Sequence, residues 1–474
     1  MTRQEYHTIL DYLASLIKGT KWENHVFAVG GCCRDDILGE EINDIDLAVD
    51  LPGGGVDFAG FLHKKGETAK KPVLFAKFGT AKLVLSKFPE HEIETVQTRR
   101  EKYTDKTKRD PTIVFGTVEE DCIRRDLTVN ALYHNVSKGT LSDILGRSLA
   151  DIQAHIIRTP ADPDVTFEDD PVRILRTIRF SARYGWEIEA ATYKGMIRNI
   201  DRLQIVTKER MAAELEKMLC GPHPAKALEL LRVTGAMKYI IPEMCATYAI
   251  EQNDYHFGTV WEHTLAVVEK VPAIPVLRMA ALLHDIGKTV TRSCDKNGRY
   301  HFYGHEKTCK RLIDIVLRRL HFDSDFINKV IFLAYNHMAT KKWGPRAERM
   351  SDANLRKLQH MCASPERLER LLSLIDADNR SHAHGHCMPE QCEQILLRSQ
   401  QLRKEGTAMF SYHQPLQSTK IRKVAGLTPD DDLEPYRKYL FELVCANPAK
   451  GKAFYERKLR AYTPPKPGRR RNKR

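Results

Sequence analysis

Long apolar runs are missing from this chain. No uninterrupted stretch approaches the ~18 residues of a membrane-spanning helix, which argues against an integral membrane protein. The N-terminal Met1-Thr2-Arg3-Gln4-Glu5-Tyr6-His7 leads into an amphipathic stretch with internal charges, where a secretory signal would need a short apolar block. Cysteine is sparse, 11 in 474 residues, with no CxxC pair and no regular framework. That usage fits free thiols in a reducing cytoplasm better than a secreted disulfide scaffold. Apolar residues as a class are not scarce: at 42 % they suffice for ordinary buried cores, so a wholly disordered chain is excluded. The length suggests ~3 domains.

Acid is also in short supply, but unevenly. The net charge is +13, from 75 Lys+Arg against 62 Asp+Glu, which suggests a polyanionic partner. Residues 1–60 nevertheless hold 4 basic and 11 acidic residues, a local net of −7. Residues 464–474 hold 6 basic residues and no acid; this tail reads as disordered, adding nonspecific affinity for a polyanion.

The acidic start has an α/β pattern. His25-Val26-Phe27-Ala28-Val29 reads as a buried strand running into Gly30-Gly31-Cys32-Cys33-Arg34-Asp35, and Ile45-Asp46-Leu47-Ala48-Val49 reads as a second strand. Asp44 and Asp46 are two apart, so their side chains share a face and repel unless a cation, commonly Mg²⁺, sits between them. Gly30 and Gly31 leave backbone N–H groups open at a helix start, which favours phosphate. His91-Glu92-Ile93-Glu94-Thr95-Val96 alternates like a strand and offers Glu94 as a third carboxylate. Residues 99–110 are charged and strand-poor, the pattern of a mobile loop.

Two arginine-rich segments follow. Arg124-Arg125-Asp126-Leu127-Thr128-Val129-Asn130 combines guanidinium forks suited to phosphates with an acid and an amide suited to sugar hydroxyls. In Glu168-Asp169-Asp170-Pro171-Val172-Arg173, Asp169 or Asp170 caps a helix and Pro171 suits its first position. Arg173, Arg176 and Arg179 then recur near one helix face, with Ile174, Leu175 and Ile178 on the buried side.

In order, these segments resemble the class II tRNA nucleotidyltransferase and bacterial poly(A) polymerase family over residues 20–220. The motifs are Gly30-Gly31 with Arg34-Asp35, then Asp44 and Asp46, then Arg124-Arg125-Asp126 with Asn130-Ala131. An imperfect DxxGxxDL-like segment at 143–151 follows. Asp169-Asp170 with Arg173 carries Asp where the family has Glu, and Glu209-Arg210-Met211-Ala212-Ala213-Glu214-Leu215 closes the series. The resemblance implies transfer of nucleotides from CTP or ATP to an RNA 3′ end without a nucleic-acid template. It implies that Asp44 and Asp46 hold two Mg²⁺ ions, that Gly31 and Arg34 hold the triphosphate, and that Arg125 and Asp126 bind the ribose. Asp170 and Arg173 would read the Watson–Crick edge of the base, with Arg176 and Arg179 supporting that site or the phosphates. The segment around Arg99 to Tyr103 resembles the family's flexible loop, whose presence argues against CC-only addition.

The second half has another signature. Trp261-Glu262-His263-Thr264 opens a helix, and 278–288 reads as an apolar helix ending in His284-Asp285. His263, His284, Asp285 and Asp376 resemble the H…HD…D metal ligands of the HD phosphohydrolase superfamily, which implies a divalent transition metal and phosphate-ester hydrolysis. His305 and His337 are further candidate ligands or phosphate contacts, and the 382–387 segment is a histidine-rich loop. The rest reads as amphipathic helices.

The expected architecture is α+β: a polymerase-β-like head with a small mixed sheet at 1–155, a helical neck at 156–250, an HD domain at 251–385 and a helical tail at 386–474. The expected partners are a tRNA 3′ end, CTP and ATP, with no membrane and a cytoplasmic location. The competing readings are a poly(A) polymerase and an HD phosphohydrolase whose head only binds nucleotides. The complete carboxylate and arginine set speaks against the latter.

Overall fold

The computed structural model describes residues 1–102, 112–253, 255 and 258–465. Two compact units emerge: Met1–Cys245 with Arg319–Phe322, and Ala246–Arg318 with the remainder from Asp323 onward.

The first unit is built on a mixed sheet. Its strands are β1 (Val26–Val29), β2 (Ile45–Val49), β3 (Val73–Phe75), β4 (Thr80–Val84) and β5 (Glu92–Gln97). A separate hairpin, β6 (Arg99–Lys102) and β7 (Thr112–Phe115), is followed by β8 (Tyr133–Asn135) and β9 (Thr140–Ser142). The seven-stranded order is β3-β4-β5-β2-β1-β8-β9, with β2 and β5 parallel and every other pair antiparallel. The three sequence-predicted strands are thus the three adjacent central ones. Their alternation reflects one face packed on helices, among them Arg3–Ile17, which buries Tyr6, Ile9, Leu10, Leu13 and Ile17 at helical spacing. Thr2 and Glu5 close that helix's N-terminus with a capping box.

The expected loop at 99–110 is corrected at its start: residues 99–102 are a strand paired antiparallel with 112–115. Main-chain pairing holds these charged residues extended, without the apolar alternation that would have marked them. The rest of that segment lies outside the described residues, as does the basic tail from 466.

Helices complete the first unit. Pro163–Asp169 stops at Asp170, whose backbone is extended, and Val172–Tyr184 begins beyond Pro171. Pro171 disfavours helical backbone at the residue before it, so the break falls on Asp170. Lys208–Leu219 packs against Val172–Tyr184.

The second unit is helical. Val260–Lys270, Pro275–Leu283, Ser324–Asn336 and Pro365–Asn379 pack around a shared interior. Its C-terminal part is the amphipathic set Ser418–Ala425, Glu434–Ala446 and Lys452–Arg460, which buries Ile421, Leu440, Tyr455 and Leu459. No helix among the described residues is long and apolar enough to cross a membrane.

Candidate functional site

Parallel pairing of β2 with β5 sets Asp46 directly opposite Glu94, so both carboxylates occupy one face of the sheet. Asp44, exposed just before β2, shares that side two positions earlier. Burial, then the charges of Glu94 and Asp44, push the Asp46 carboxyl up to about 6, against the pull of Arg125. A buried acid whose proton affinity two neighbouring carboxylates raise in this way fits a divalent cation among the three. Lys82, the register partner of Glu94, is held by Glu92 at 2.6 Å and stays 3.9 Å from Glu94.

Gly30 joins β1 to the helix Gly31–Leu38 with φ +77°, where a Cβ would lie 3.2 Å from Arg125 Nη1. Both the conformation and the close approach demand glycine.

A continuous hydrogen-bonded chain links Arg34 to Arg176. Buried Arg34 donates to Asp35 Oδ1 (2.8 Å) and to Asn130 Oδ1. Asn130 Nδ2 donates to Asp126 Oδ1 (3.0 Å), and Arg176 Nε donates to Asp126 Oδ2 (2.7 Å). Burial pushes the Asp126 carboxyl up, but Arg176 and Asn130 outweigh it and hold the group at about 2.

The two arginines of the RRD motif share one buried anchor that the sequence reading missed. Asp121 lies 2.6 Å from Arg124 Nη2 and 3.1 Å from Arg125 Nη2, and also accepts from the Tyr133 hydroxyl. It sits at i−3 and i−4 from them near the helix Val118–Ile123, a spacing that could have flagged it.

The arginines of Val172–Tyr184 are spent on partners in two of the motifs and on Glu40. Arg176 pairs with Asp126 (2.6 Å), Arg179 with Glu214 (2.6 Å) and Arg183 with Glu40 (3.0 Å). At the helix break, Asp170 Oδ1 accepts from the Val172 N–H (3.2 Å), and its Oδ2 accepts from Arg210 Nη2 (2.6 Å). Buried Arg173 donates to the Thr166 carbonyl (3.3 Å).

One cavity of about 480 Å³ gathers most of these groups: Asp46 and Glu94, then Arg124, Arg125, Asp126 and Arg176, then Asp170 and Arg173. Arg99 and Arg210 also line it, and neither was singled out from the sequence as a site residue. Arg34, Asp35, Asn130 and Arg179 do not line it.

The second unit concentrates a different chemistry. His263, His284 and Asp378 present ligand atoms within 4.8 Å of one another, and so do Asp285, His305 and His337. All six residues are buried. His263 Nε2 lies 3.0 Å from Asp378 Oδ1, and His284 Nε2 lies 3.3 Å from Asp285 Oδ2. Burial drives the His337 imidazole down to about 3, with the neighbouring His284 adding to the effect. Burial opposes ionisation of Asp285 and Asp378, yet Lys288 and His284 around the first, and Lys341 and His263 around the second, hold both well below the usual carboxylate range. His284 Nε2, Asp285 Oδ1 and Asp378 Oδ2 are buried without a hydrogen bond, a costly state that coordination to a cation would relieve.

Asp376 requires correction. The H…HD…D spacing pointed to it, but its carboxylate pairs with Arg380 (2.7 Å) on the outer side of Pro365–Asn379. Two helical positions differ by ~200° in direction, so Asp378 is the acid that faces inward. His384, His386 and Cys387 join no metal-type cluster among the described residues. The cavity over the histidines, about 660 Å³, is lined by Asp285, Lys288, His305, His337, Lys341 and Asp378, together with exposed Tyr303.

A mixed sheet presenting paired acids beneath an arginine-rich pocket, in a chain that also carries a helical His/Asp cluster, defines a nucleotidyltransferase-type head accompanied by an HD-type unit. Family models agree. Residues 26–158 match the poly A polymerase head domain, 185–247 the probable RNA and SrmB-binding site of polymerase A, and 254–380 the HD domain. A multifunctional CCA protein of Azoarcus sp. (strain BH72) is 30% identical over 382 residues, covering 75% of this chain and 83% of that protein. The chain belongs to the CCA tRNA nucleotidyltransferase family.

The mitochondrial CCA tRNA nucleotidyltransferase of Candida glabrata is 36% identical over 223 residues, 43% of this chain; the match spans 41% of that relative's length. Among solved structures, the Bacillus stearothermophilus CCA-adding enzyme in complex with CTP shares the fold, with TM-score 0.65 at 20% identity over 96% of both chains.

Proposed function

We propose that this chain adds CCA to tRNA 3′ ends from CTP and ATP. The observation that carries the reading is one cavity lined together by the Asp46–Glu94 carboxylates, by Arg124, Arg125 and Arg176, and by Asp170 and Arg173.

Asp44, Asp46 and Glu94 would hold Mg²⁺, which when bound supplies charge neutralisation at the α-phosphate and a more acidic 3′-hydroxyl. In-line displacement needs positioning and electrostatics more than covalent help, and this pocket's own groups supply both. Open N–H groups after Gly30 would meet the triphosphate, and the guanidinium of Arg125 would lie beside the ribose. Asp126, whose carboxylate already meets the Leu127 N–H, the Asn130 amide and two nitrogens of Arg176, would take a ribose hydroxyl by exchanging one of these contacts. Asp170 and Arg173 offer an acceptor and a fork of donors to a base edge. Rotating such a pair exchanges the pattern that suits cytosine for the one that suits adenine.

The test uses purified chain, tRNA lacking its 3′ end, and labelled CTP or ATP. Three added nucleotides support CCA addition, long A tails support the poly(A) polymerase alternative, and no incorporation with any divalent metal overturns both.

For the second unit we infer a phosphoesterase site. His263, His284 and Asp378, with Asp285, would hold a divalent transition cation, for which buried neutral imidazoles and carboxylates are suitable ligands. Lys288 and Lys341 line the same cavity and would meet a phosphate. Metal-dependent opening of a 2′,3′-cyclic nucleotide to its monophosphate, lost in His284→Ala, supports this; activity unchanged by that substitution overturns it. The site of action we infer is the cytoplasm, in keeping with cysteines that are all free.

A further inference from the structure

We propose that the edge of the seven-stranded sheet, the hairpin of β3 and β4, holds the single-stranded 3′ end of the RNA being extended, with Phe75 and Phe78 stacking on its last bases. The proposal rests on the nucleotidyl-transfer reading of the first unit and adds where the RNA lies.

Register carries the placement. Across the sheet, Asp46 pairs with Glu94, Glu94 with Lys82, and Lys82 with Val73. Two residues along, Ala48 pairs with Val96, Val96 with Thr80, and Thr80 with Phe75. Register partners point to one face of a sheet, so Val73 and Phe75 share the face that carries the acids. Thr80 and Val96 line the cavity that contains Asp46 and Glu94, and β3 is the next strand beyond Thr80. Two strand spacings of about 4.8 Å carry this face roughly 10 Å from Glu94 to β3. A nucleotide whose 3′ oxygen sits at the acids can lay its base, or that of the nucleotide before it, across that distance.

The chemistry calls for a nucleophile from this side. In-line displacement sets the attacking oxygen opposite the leaving group. The RNA 3′ oxygen bonds to the α-phosphorus as the bond to pyrophosphate breaks, and the 3′ proton passes to water. The turn at Gly30 and Gly31, where the triphosphate would sit, follows β1 on one side of β2, whereas β5, β4 and β3 lie on the other. The RNA therefore approaches over β5, β4 and β3.

The surface there suits a single strand. Residues 73–78 are all exposed, with Val73, Phe75 and Phe78 at 52%, 41% and 49%. A contiguous exposed apolar strip marks a binding surface. Lysines interleave with it. Lys70 and Lys71 precede β3, and Lys77 stands between the two phenylalanines, its Nζ 5.6 Å from the centre of the Phe78 ring. Aromatic rings stack on any base and lysines meet phosphates, the combination that holds single-stranded nucleic acid without reading its sequence. That indifference suits a surface which must hold the RNA end before and after each addition, while Asp170 and Arg173 do the reading. Lysines along an edge strand also oppose its pairing with a second copy of the same strand.

The test uses full-length protein, CTP, tRNA lacking its 3′ end, and the same RNA made without bases at its last two nucleotides. Phe75→Ala and Phe78→Ala are each expected to lower kcat/KM for the intact RNA roughly 10-fold, the scale of one base–aromatic stack. The KM for CTP and the melting temperature should not move. Phe75→Trp, which keeps a ring, should recover most of the loss. On the RNA lacking those bases the variants and the native chain should be equal, since the rings have nothing to stack on. An equal defect on both RNAs would make the rings structural and overturn the proposal. Native kinetics in the double variant Phe75→Ala/Phe78→Ala would overturn it too, and a native dimer dissociated by that variant would assign the edge to self-association instead. A native chain that extends no RNA overturns the nucleotidyl-transfer reading itself, and the proposal with it.

Discussion

Asp376 and Asp378 stand two residues apart on one helix and face opposite ways. Asp376 pairs with Arg380 at 2.7 Å, whereas Asp378 lies 3.0 Å from His263 in the interior. Of the two, only the inner acid joins the histidine cluster proposed to hold a metal. Asp378→Ala is therefore expected to abolish metal-dependent phosphoesterase activity, with loss of one bound ion. Asp376→Ala should leave both unchanged and cost under ~0.5 kcal/mol, the value of a helical surface ion pair. Opening of a 2′,3′-cyclic nucleotide and metal content, measured on both variants, decide the assignment; loss in Asp376→Ala would reverse it.

Register makes a second prediction. Asp46 and Glu94 are cross-strand partners, so Glu94 belongs to the acidic set although it lies on a separate strand. Asp44→Ala or Asp46→Ala is expected to lower nucleotide incorporation at least ~10³-fold, as removal of a metal-holding carboxylate costs several kcal/mol of transition-state stabilisation. Glu94→Gln should lower it less, ~10–100-fold, because its carboxylate is half-exposed and tethered near Lys82. RNA binding, followed by gel shift, should persist in all three; incorporation at native rates in Glu94→Gln would remove it from the site.

Arg210 makes a third. It was legible only as part of a motif, yet it holds Asp170 at 2.6 Å from the far side of the pocket. Losing it frees the proposed base-reading carboxylate to change rotamer. Arg210→Ala is expected to raise KM for CTP and ATP and to shift the CTP-to-ATP ratio of kcat/KM by ~10-fold, the scale of one misplaced polar contact. Arg210→Lys should restore part of the ratio. An unchanged ratio in Arg210→Ala would mean that Asp170 needs no such support.

What the sequence disclosed, and what it withheld, divides along physical lines. The three central strands were readable because burial imposes alternation on them, and the motifs were readable because their chemistry is written in adjacent residues. The strand at 99–102 was not readable, since its side chains are charged and only main-chain pairing with 112–115 holds it extended. Helical phase misled at Asp376, because spacing along the chain says nothing of direction until the helix boundaries are set. Partners distant in sequence were invisible: Arg179 meets Glu214 across 35 residues, and Arg176 meets Asp126 across 50. Composition could therefore show an arginine stripe but not that much of it is structural.

That structural share can be measured. Arg179 and Glu214 form an ion pair with side chains only 12% and 8% exposed. Removing one partner strands the other charge in the interior, at a cost of ~3–5 kcal/mol. In a unit of this size, Arg179→Ala is expected to lower the melting temperature by roughly 10 °C, at ~2–4 °C per kcal/mol. Arg179→Met with Glu214→Leu should recover much of the loss, since the pair is replaced by apolar groups of similar volume. A melting temperature unmoved by Arg179→Ala would show the charge to be solvated.

Acid stability of the first unit should trace to two other buried carboxylates. Burial alone would raise Asp121, but the Arg125 and Arg124 guanidiniums outweigh it and hold it at about 2; Asp126 is held at about 2 by Arg176 and Asn130. A carboxyl whose folded value lies below its ordinary value of 3.8 stabilises the folded state fully above that ordinary value. The contribution fades as pH falls from about 4 towards 2, because protons then bind the unfolded chain first. Each acid is worth about 2–3 kcal/mol by this linkage at neutral pH. Urea midpoints measured from pH 6 to pH 2 should fall most steeply between pH 4 and pH 2. In Asp121→Asn the starting stability should be lower and that slope shallower, since one of the two titrating groups is gone and Arg124 and Arg125 have lost their shared anchor. An equally steep fall in Asp121→Asn would assign the acid sensitivity to other carboxylates.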